Sequence, residues 1–329
     1  MRRLLLVSGT MRSGTSMLAD ILYSRHLRVA RHPHVAFSME GIPLYRNTQK
    51  ELWALEVNAP LRYKPDALPT IPAEGHDFEL LGRISSEQEF VTTLVDQVEA
   101  EILNACPEAP EADVFGLKYT NIFNEFILIS KYRPDAKLLL TVRDPRDVFA
   151  SHCKRLGETS PPRRMKIVLD MIGLHDFILT HGQRPDIKVV RYEDVVTNID
   201  QSITDIMTFI GVAPDLYDRD SLVEKGMLQN SSFGAADPGR ITTVRHEGTM
   251  TARYKSTLTP EEVAMLELLF GDVMDTYGYK KDFDPADGFS QQAFADFQPL
   301  LTRLLRKNFF PRTTLDRVAA LEQPLALPE

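Results

Sequence analysis

The chain alternates between short, wholly apolar runs and longer stretches in which apolar residues recur every three or four positions. Leu4-Leu5-Leu6-Val7 is the first such run and predicts a buried strand. Met17, Leu18, Ile21 and Leu22 follow at helical spacing, so a helix over about Ser16 to Arg25 packs back on that strand. The same reading predicts strands at Asp113 to Lys118, Ala136 to Val142 and Ile187 to Arg191. Between and after them it predicts helices over Glu89 to Leu103, Asn121 to Tyr132, Pro145 to about Leu156, Arg163 to His181, Ile199 to Ile210 and Pro260 to Tyr277. Ser85-Ser86-Glu87 and Thr259-Pro260-Glu261-Glu262 supply the polar starts of two of these, and Pro145 suits a first helical turn. Strands alternating with helices argue for an α/β, three-layer domain: a mostly parallel sheet flanked by helices on both faces.

Two regions depart from that alternation. Residues 28–82 carry Pro33, Pro43, Pro60, Pro65, Pro69 and Pro72, and a proline-punctuated stretch of this length inside a domain is read as a binding insertion. From Phe283 onward the composition is mixed, with an amphipathic helix predicted at Ala293 to Lys307. The expected organisation is one domain over residues 1–282 and an appended segment over 283–329 with no role assigned. The 329 residues suffice for one large α/β domain, and 43% hydrophobic with 26% charged residues is ordinary globular composition.

The net charge of −8 argues against a general nucleic-acid surface, although a local basic cluster can still bind a small polyanion. Only Cys106 and Cys153 occur, with no spacing that suggests zinc or a disulfide framework, and a reducing, cytoplasmic setting is expected. The apolar N-terminal run is too short for a signal sequence or a membrane span and reads as the first core strand.

The candidate chemistry begins directly after that strand. Gly9-Thr10-Met11-Arg12-Ser13-Gly14-Thr15-Ser16 is a polar, glycine-punctuated turn leading into a helix. There, unpaired backbone N–H groups and the positive end of the helix dipole converge on an anion. The spacing nearly matches the nucleotide P-loop, so a P-loop NTPase-like sheet is expected. Thr15 stands where that loop carries its lysine, however, and the nearest cation is Arg12. Ligands of open parallel sheets bind at the carboxyl ends of strands. The other predicted strands end in Lys118, Arg143 and Arg191-Tyr192-Glu193, so cations gather at the same edge.

These segments together resemble the sulfotransferases that use 3′-phosphoadenosine 5′-phosphosulfate (PAPS). Met11 to Leu18 resembles their 5′-phosphosulfate loop, with Met11 in place of the usual proline. Val142-Arg143-Asp144-Pro145-Arg146-Asp147-Val148-Phe149-Ala150-Ser151 resembles their 3′-phosphate motif, an arginine followed by a serine eight residues on. Arg191 to Val195, Asn230-Ser231-Ser232-Phe233 and Tyr254 to Tyr279 also resemble family segments, so the likeness spans about residues 3–280.

PAPS carries a transferable sulfonate on one phosphate and a separate ribose 3′-phosphate. Arg12, Ser13, Gly14, Thr15 and Ser16 suit the first. Arg143 and Ser151 suit the second, since a guanidinium at a strand end and a hydroxyl two helical turns onward can face one phosphate, and Arg155 lies one turn further. The resemblance further implies that Tyr192 belongs to the donor site and that Arg253 closes over the 3′-phosphate. No metal is required, because no divalent ion has to bridge a chain of phosphates. Transfer needs cationic stabilisation of the leaving phosphate, expected from Arg12 and Lys118, and a general base. Glu40, in Ser38-Met39-Glu40-Gly41-Ile42-Pro43, resembles the acidic segment that supplies the base in some branches. His32, His34 and His152 are the other candidates.

The expected acceptor is a hydroxyl-bearing carbohydrate, lipid or small metabolite, with Tyr45, Arg46, Trp53, Arg62 and Tyr63 in the insertion available to contact it. Residues 215–245 form a second variable stretch of the same kind. Two other readings compete. A P-loop kinase or NTPase needs a loop lysine and a magnesium-holding acid. A non-catalytic protein that binds only the product 3′-phosphoadenosine 5′-phosphate (PAP) needs the donor residues alone.

Overall fold

Three segments of nearly unbroken apolar sequence, adjacent in the sheet, form the centre of the protein, because strands covered on both faces have no polar side to show. They are β1 (Arg3–Gly9), β5 (Val114–Lys118) and β6 (Lys137–Val142), and all their residues but Arg3 and Lys137 are buried. In the computed structural model they pair in parallel with β1 in the middle, and β4 (Val35–Met39) and β7 (Ile187–Arg191) complete the sheet in the order β4-β5-β1-β6-β7. Every pairing in it is parallel. The structure describes residues 2–24, 29–39, 87–107, 109–156, 161–225, 227–228, 241–242, 251–284 and 288–305.

The chain leaves β1 through α1 (Thr15–Leu22) and reaches the far edge strand β4 after a two-residue hairpin, β2 (Tyr23–Ser24) and β3 (Val29–Ala30). From β4 it returns through α2 (Glu87–Ala105) to β5, through α3 (Phe123–Tyr132) to β6, and through α4 (Pro145–Leu156) and α5 (Pro161–His181) to β7. Since parallel crossovers are right-handed, the opposite direction of the first one puts α1 on one face and the later helices on the other. β1 is thus flanked by two strands whose following segments depart to the face opposite its own. A crevice opens at the carboxyl ends of β1, β5 and β6, which is where open α/β sheets bind ligands.

Beyond β7 come α6 (Tyr192–Thr197), α7 (Ile199–Ile210), α8 (Arg219–Lys225), a second short hairpin of β8 (Met227–Leu228) and β9 (Ile241–Thr242), α9 (Pro260–Thr276) and α10 (Gly288–Leu305). A reciprocal capping box opens α9, with the Thr259 side chain accepting from Glu262 N and the Glu262 carboxylate accepting from Thr259 N. α10 packs on α9 and α5. Its Phe294 joins Phe149, Ile172, Leu266 and Phe270 in a helical core separate from the one under the sheet. The segment after residue 282 therefore shares apolar packing with the helices before it.

One expectation needs correction. Residues 28–82 do not begin as a plain insertion, because Val35-Ala36-Phe37-Ser38-Met39 is the edge strand β4. Its apolar run is only five residues long and sits between Pro33 and Pro43, so the prolines mask it. The first helix also ends earlier than its periodicity suggests, since Tyr23 turns extended to start β2. Among the described residues no helix is long and apolar enough to cross a membrane.

A buried charge network ties the helical layer to the sheet. Arg146, at the start of α4, donates bidentately to Asp144 at 2.9 and 2.7 Å and to Glu267 of α9 at 2.5 Å, and its guanidinium lies 4.2 Å from the Tyr254 ring centroid. Glu267 also accepts from the backbone N–H groups of Asp282 and Phe283, each at 2.8 Å. Burial by itself disfavours the charged form of Arg146, but the Asp144 bonds outweigh it and its pKa is raised. Breaking such a set from one side leaves isolated charges inside the protein. Arg146→Met, which keeps the volume, is expected to lower the unfolding free energy by about 3–5 kcal/mol in urea titrations. A loss below about 1 kcal/mol would mean that Glu267 and Asp144 find other partners.

Candidate active site

The loop between β1 and α1 folds back on itself. Ser13 N donates to Thr10 O at 3.2 Å, the Ser13 hydroxyl donates to the same carbonyl at 2.8 Å, and it lies 2.8 Å from the Thr141 hydroxyl at the end of β6. Ser13 is thus turned inward as a brace. Gly14 takes the N-cap position of α1 at φ 102°, where a side chain is disfavoured, and it provides no side-chain cap for the first turn. A Cβ there would lie 2.5 Å from Cδ2 of Tyr192, so glycine also lets the Tyr192 ring pack directly on the loop. Thr15 is buried and Ser16 half-buried in the first turn of the helix.

Cations surround this loop. Lys118, the last residue of β5, is buried and in register with Val7 of β1 and Met39 of β4. On the other side of β1, Arg143 follows β6. Its guanidinium lies 4.3 Å from the Tyr192 ring centroid, donates to Arg12 O at 3.3 Å and approaches Asp147 at 3.6 Å. Arg12 itself sits at φ 73° and donates from Nε to the Ser151 hydroxyl of α4 at 3.1 Å. The loop after β1 and the helix after β6 are therefore joined side chain to side chain.

The electrostatics identify the character of the pocket. Burial lowers the Arg12 pKa, and the nearby charges of Arg143 and Arg155 lower it further. Arg253 is shifted down by burial as well, with the positive charge of Arg143 adding to it while Tyr192 and Asp147 oppose. A set of arginines whose mutual repulsion favours the neutral forms is a place where a polyanion is stabilised. Burial conversely raises the pKa of Asp147, Tyr192 and Glu193, and Arg143 acts against each of those shifts. Among the described residues the non-glycine positions with positive φ are Arg12, Asn121 and Ala252. The first two lie in the loops following β1 and β5, and the third just precedes Arg253; such strain collects at functional sites.

The structure brings Arg12, Gly14, Arg143, Ser151, Arg155, Tyr192 and Arg253 into one neighbourhood, with Lys118 across β1. Glu40 lies outside the described residues, as do Tyr45, Arg46, Trp53, Arg62, Tyr63 and the segment 230–233. Two of the three candidate histidines fall elsewhere. His32 and His34 precede β4 and so stand at the amino edge of the parallel sheet, away from the loops just described. Both ring nitrogens of the fully buried His32 bond to backbone, Nδ1 accepting from His34 N at 3.1 Å and Nε2 donating to Ala213 O at 2.9 Å. His34 Nδ1 is 3.0 Å from Asp113 Oδ2. His152 is buried on α4 beside Ser151.

Asp147 has no role in the sequence reading, and Glu193 enters it only as part of the strand end Arg191-Tyr192-Glu193. Asp147 contacts Arg143 and accepts from Tyr254 N at 3.0 Å, and the i,i+4 spacing Arg143/Asp147 is the signal that marks it. Glu193 accepts from Asp144 N at 3.1 Å and from the Tyr279 hydroxyl at 2.8 Å, which fastens the β7 end to the β6 end.

Residues 5–215 match the model of the Sulfotransferase family, well over half of the chain. The chain belongs to the sulfotransferase family. It is an enzyme of that kind on the same α/β fold as the sulfotransferase domain from the Synechococcus PCC 7002 olefin synthase. That structure aligns with a TM-score of 0.50 at 17% identity, covering 85% of this chain and 97% of the other. A sulfotransferase from Mycobacterium avium aligns with a TM-score of 0.43 at 14% identity, covering 86% and 79% of the two chains. Retinol dehydratase in complex with androsterone and inactive cofactor PAP aligns with 0.46 at 15% identity, covering 86% and 83%. No curated protein matches the chain.

In this sulfotransferase, Gly14→Ala is expected to lower the unfolding free energy by roughly 1–3 kcal/mol, because the new Cβ meets both an unfavourable φ and the Tyr192 ring. Urea unfolding checks it, and an unaltered midpoint would show that the ring moves aside without cost.

Proposed function

We propose that this sulfotransferase moves the sulfonate of PAPS to an acceptor hydroxyl by in-line displacement, with two anion subsites meeting at the Arg12–Ser151 contact. That contact carries the reading: an arginine of the glycine loop and a hydroxyl of the Arg143 helix share a hydrogen bond at 3.1 Å, so groups suited to two separate phosphates stand side by side. The first turn of α1 and Arg12 hold the phosphosulfate end, where backbone N–H groups and a cation favour negative charge. Arg143, Ser151, Arg155 and Arg253 hold the 3′-phosphate, and Tyr192 carries Arg143 on its face.

The acceptor oxygen attacks sulfur while the bond from sulfur to the phosphate oxygen breaks. Arg12 and Lys118 stabilise the charge that collects on that oxygen. Glu40, which follows Met39 of β4 in sequence, takes the proton of the acceptor hydroxyl. The acceptor is a hydroxyl-bearing carbohydrate, lipid or small metabolite held by residues of the insertion, and the enzyme works in the cytoplasm, where its two buried free cysteines stay reduced.

Isothermal titration with PAP and with ATP–Mg²⁺ tests the donor, and mass-shift screening of hydroxylated acceptors with PAPS tests transfer. Binding of PAP without ATP–Mg²⁺ is expected, and the reverse would overturn the donor assignment. PAP binding without transfer to any acceptor class would leave a binding protein. Arg12→Ala is expected to cut kcat by about 10²–10³, whereas Arg143→Ala raises the donor KM about tenfold or more with a smaller change in kcat. Glu40→Gln is expected to keep PAP affinity and lose about 10²–10⁴ in rate, and an unchanged rate would remove Glu40 from the mechanism.

A further inference from the structure

Asp147 is an unexpected neighbour for a phosphate clamp. Its side chain is fully buried, it faces Arg143 at 3.6 Å, and it stands in the same arginine-rich pocket that the proposed 3′-phosphate enters. A bystander carboxylate in that place would only repel the ligand. Its other contacts give it a different meaning. Asp147 Oδ1 accepts from Tyr254 N at 3.0 Å. Ala252 has φ 56°, a conformation that a residue with a Cβ holds only when its surroundings impose it. The carboxylate thus grips the backbone immediately after Arg253, in the first residues of the 3-10 turn Arg253–Ser256 that Ala252 opens.

We infer that Asp147 is a positioning residue for donor recognition: one buried carboxylate sets the guanidinium of Arg143 and the backbone carrying Arg253 relative to each other, so that both arginines close on a single 3′-phosphate. The inference rests on the donor reading above. α4 supplies the carboxylate, the loop after β6 supplies one arginine, and a turn more than a hundred positions along the chain supplies the other. Tyr254 continues the anchor outward, since its hydroxyl donates to Asp282 at 2.9 Å and its ring lies under Arg146. The Arg253 turn is consequently fastened to the same scaffold that fixes the start of α4.

The sign of the effect separates this role from that of a bystander. Removing a repelling charge tightens a phosphate ligand, whereas removing a positioning group weakens it. Titration calorimetry of PAP and adenosine 5′-phosphate, which lacks the 3′-phosphate, measures the discrimination due to that group. In Asp147→Ala the ratio of the two affinities is expected to fall about tenfold, with the affinity for adenosine 5′-phosphate unchanged. In Asp147→Asn the amide oxygen still accepts from Tyr254 N, but its NH2 then faces Arg143, so a smaller fall of about threefold is expected. A generally loosened fold would weaken both nucleotides alike and leave the ratio at its wild-type value. Unchanged or increased discrimination in folded Asp147→Ala overturns the inference. Should that variant fail to fold, unchanged or increased discrimination in Asp147→Asn overturns it instead. Failure of the wild-type protein to prefer PAP over adenosine 5′-phosphate would defeat the donor reading itself, and is distinguishable on that ground.

Discussion

The gathering of Arg12, Arg143 and Arg253 around one loop, with Arg155 at its edge, is the constraint on which the rest of this structure depends. Arg12 is repelled by Arg143 and Arg155, and Arg253 by Arg143, and for Arg12 and Arg253 burial makes the charged form costlier still. Such a cluster persists only if rigid elements hold each member. The Tyr192 face supports Arg143, Ser151 receives Arg12, and Asp147 sits between Arg143 and the Arg253 turn. The outcome is a pocket whose energy improves when a polyanion enters, which is the electrostatic condition for binding a donor with two anionic ends.

The sheet determines where that cluster forms. With β1 central and its neighbours connected through the opposite face, the loops after β1, β5 and β6 open toward one crevice, and each ends in a basic residue. Behind the crevice, the Arg146 network locks the start of α4 to α9 and to the chain at 282–283. Its charges are matched by bidentate and backbone hydrogen bonds. One side of α4 therefore belongs to the Arg146 scaffold, and the other faces the arginines of the proposed donor site.

Much of this is legible along the chain because buried parallel strands are nearly pure apolar runs and because glycine spacing announces an anion loop. β1, β5, β6 and β7 follow from such runs, Arg12 and Arg143 follow from their places past a strand end, and Ser151 from the resemblance of the segment after β6 to the family's 3′-phosphate motif. What escapes depends on contacts between remote segments. β4 is too short and too close to prolines to stand out, although it forms an edge of the sheet. Asp147 reads as one more acid on a helix until its bond to Tyr254 N, far along the chain, is seen. His32 and His34 have suitable chemistry for a base, but the direction of β4 puts them at the opposite edge of the sheet, and backbone groups occupy both nitrogens of His32.

The bond between Arg12 and Ser151 has a geometric consequence. It spans the boundary between a loop that follows one strand and a helix that follows the next, and it is short enough to allow little play. In the proposed donor site, two anion cradles joined in this way would form a ruler: the distance between them belongs to the protein and not to the ligand. A nucleotide with a single phosphorylated end fills only one mark on that ruler. A molecule with both ends charged at the matching separation reads its full length, so selection acts on the spacing of charges as much as on their number.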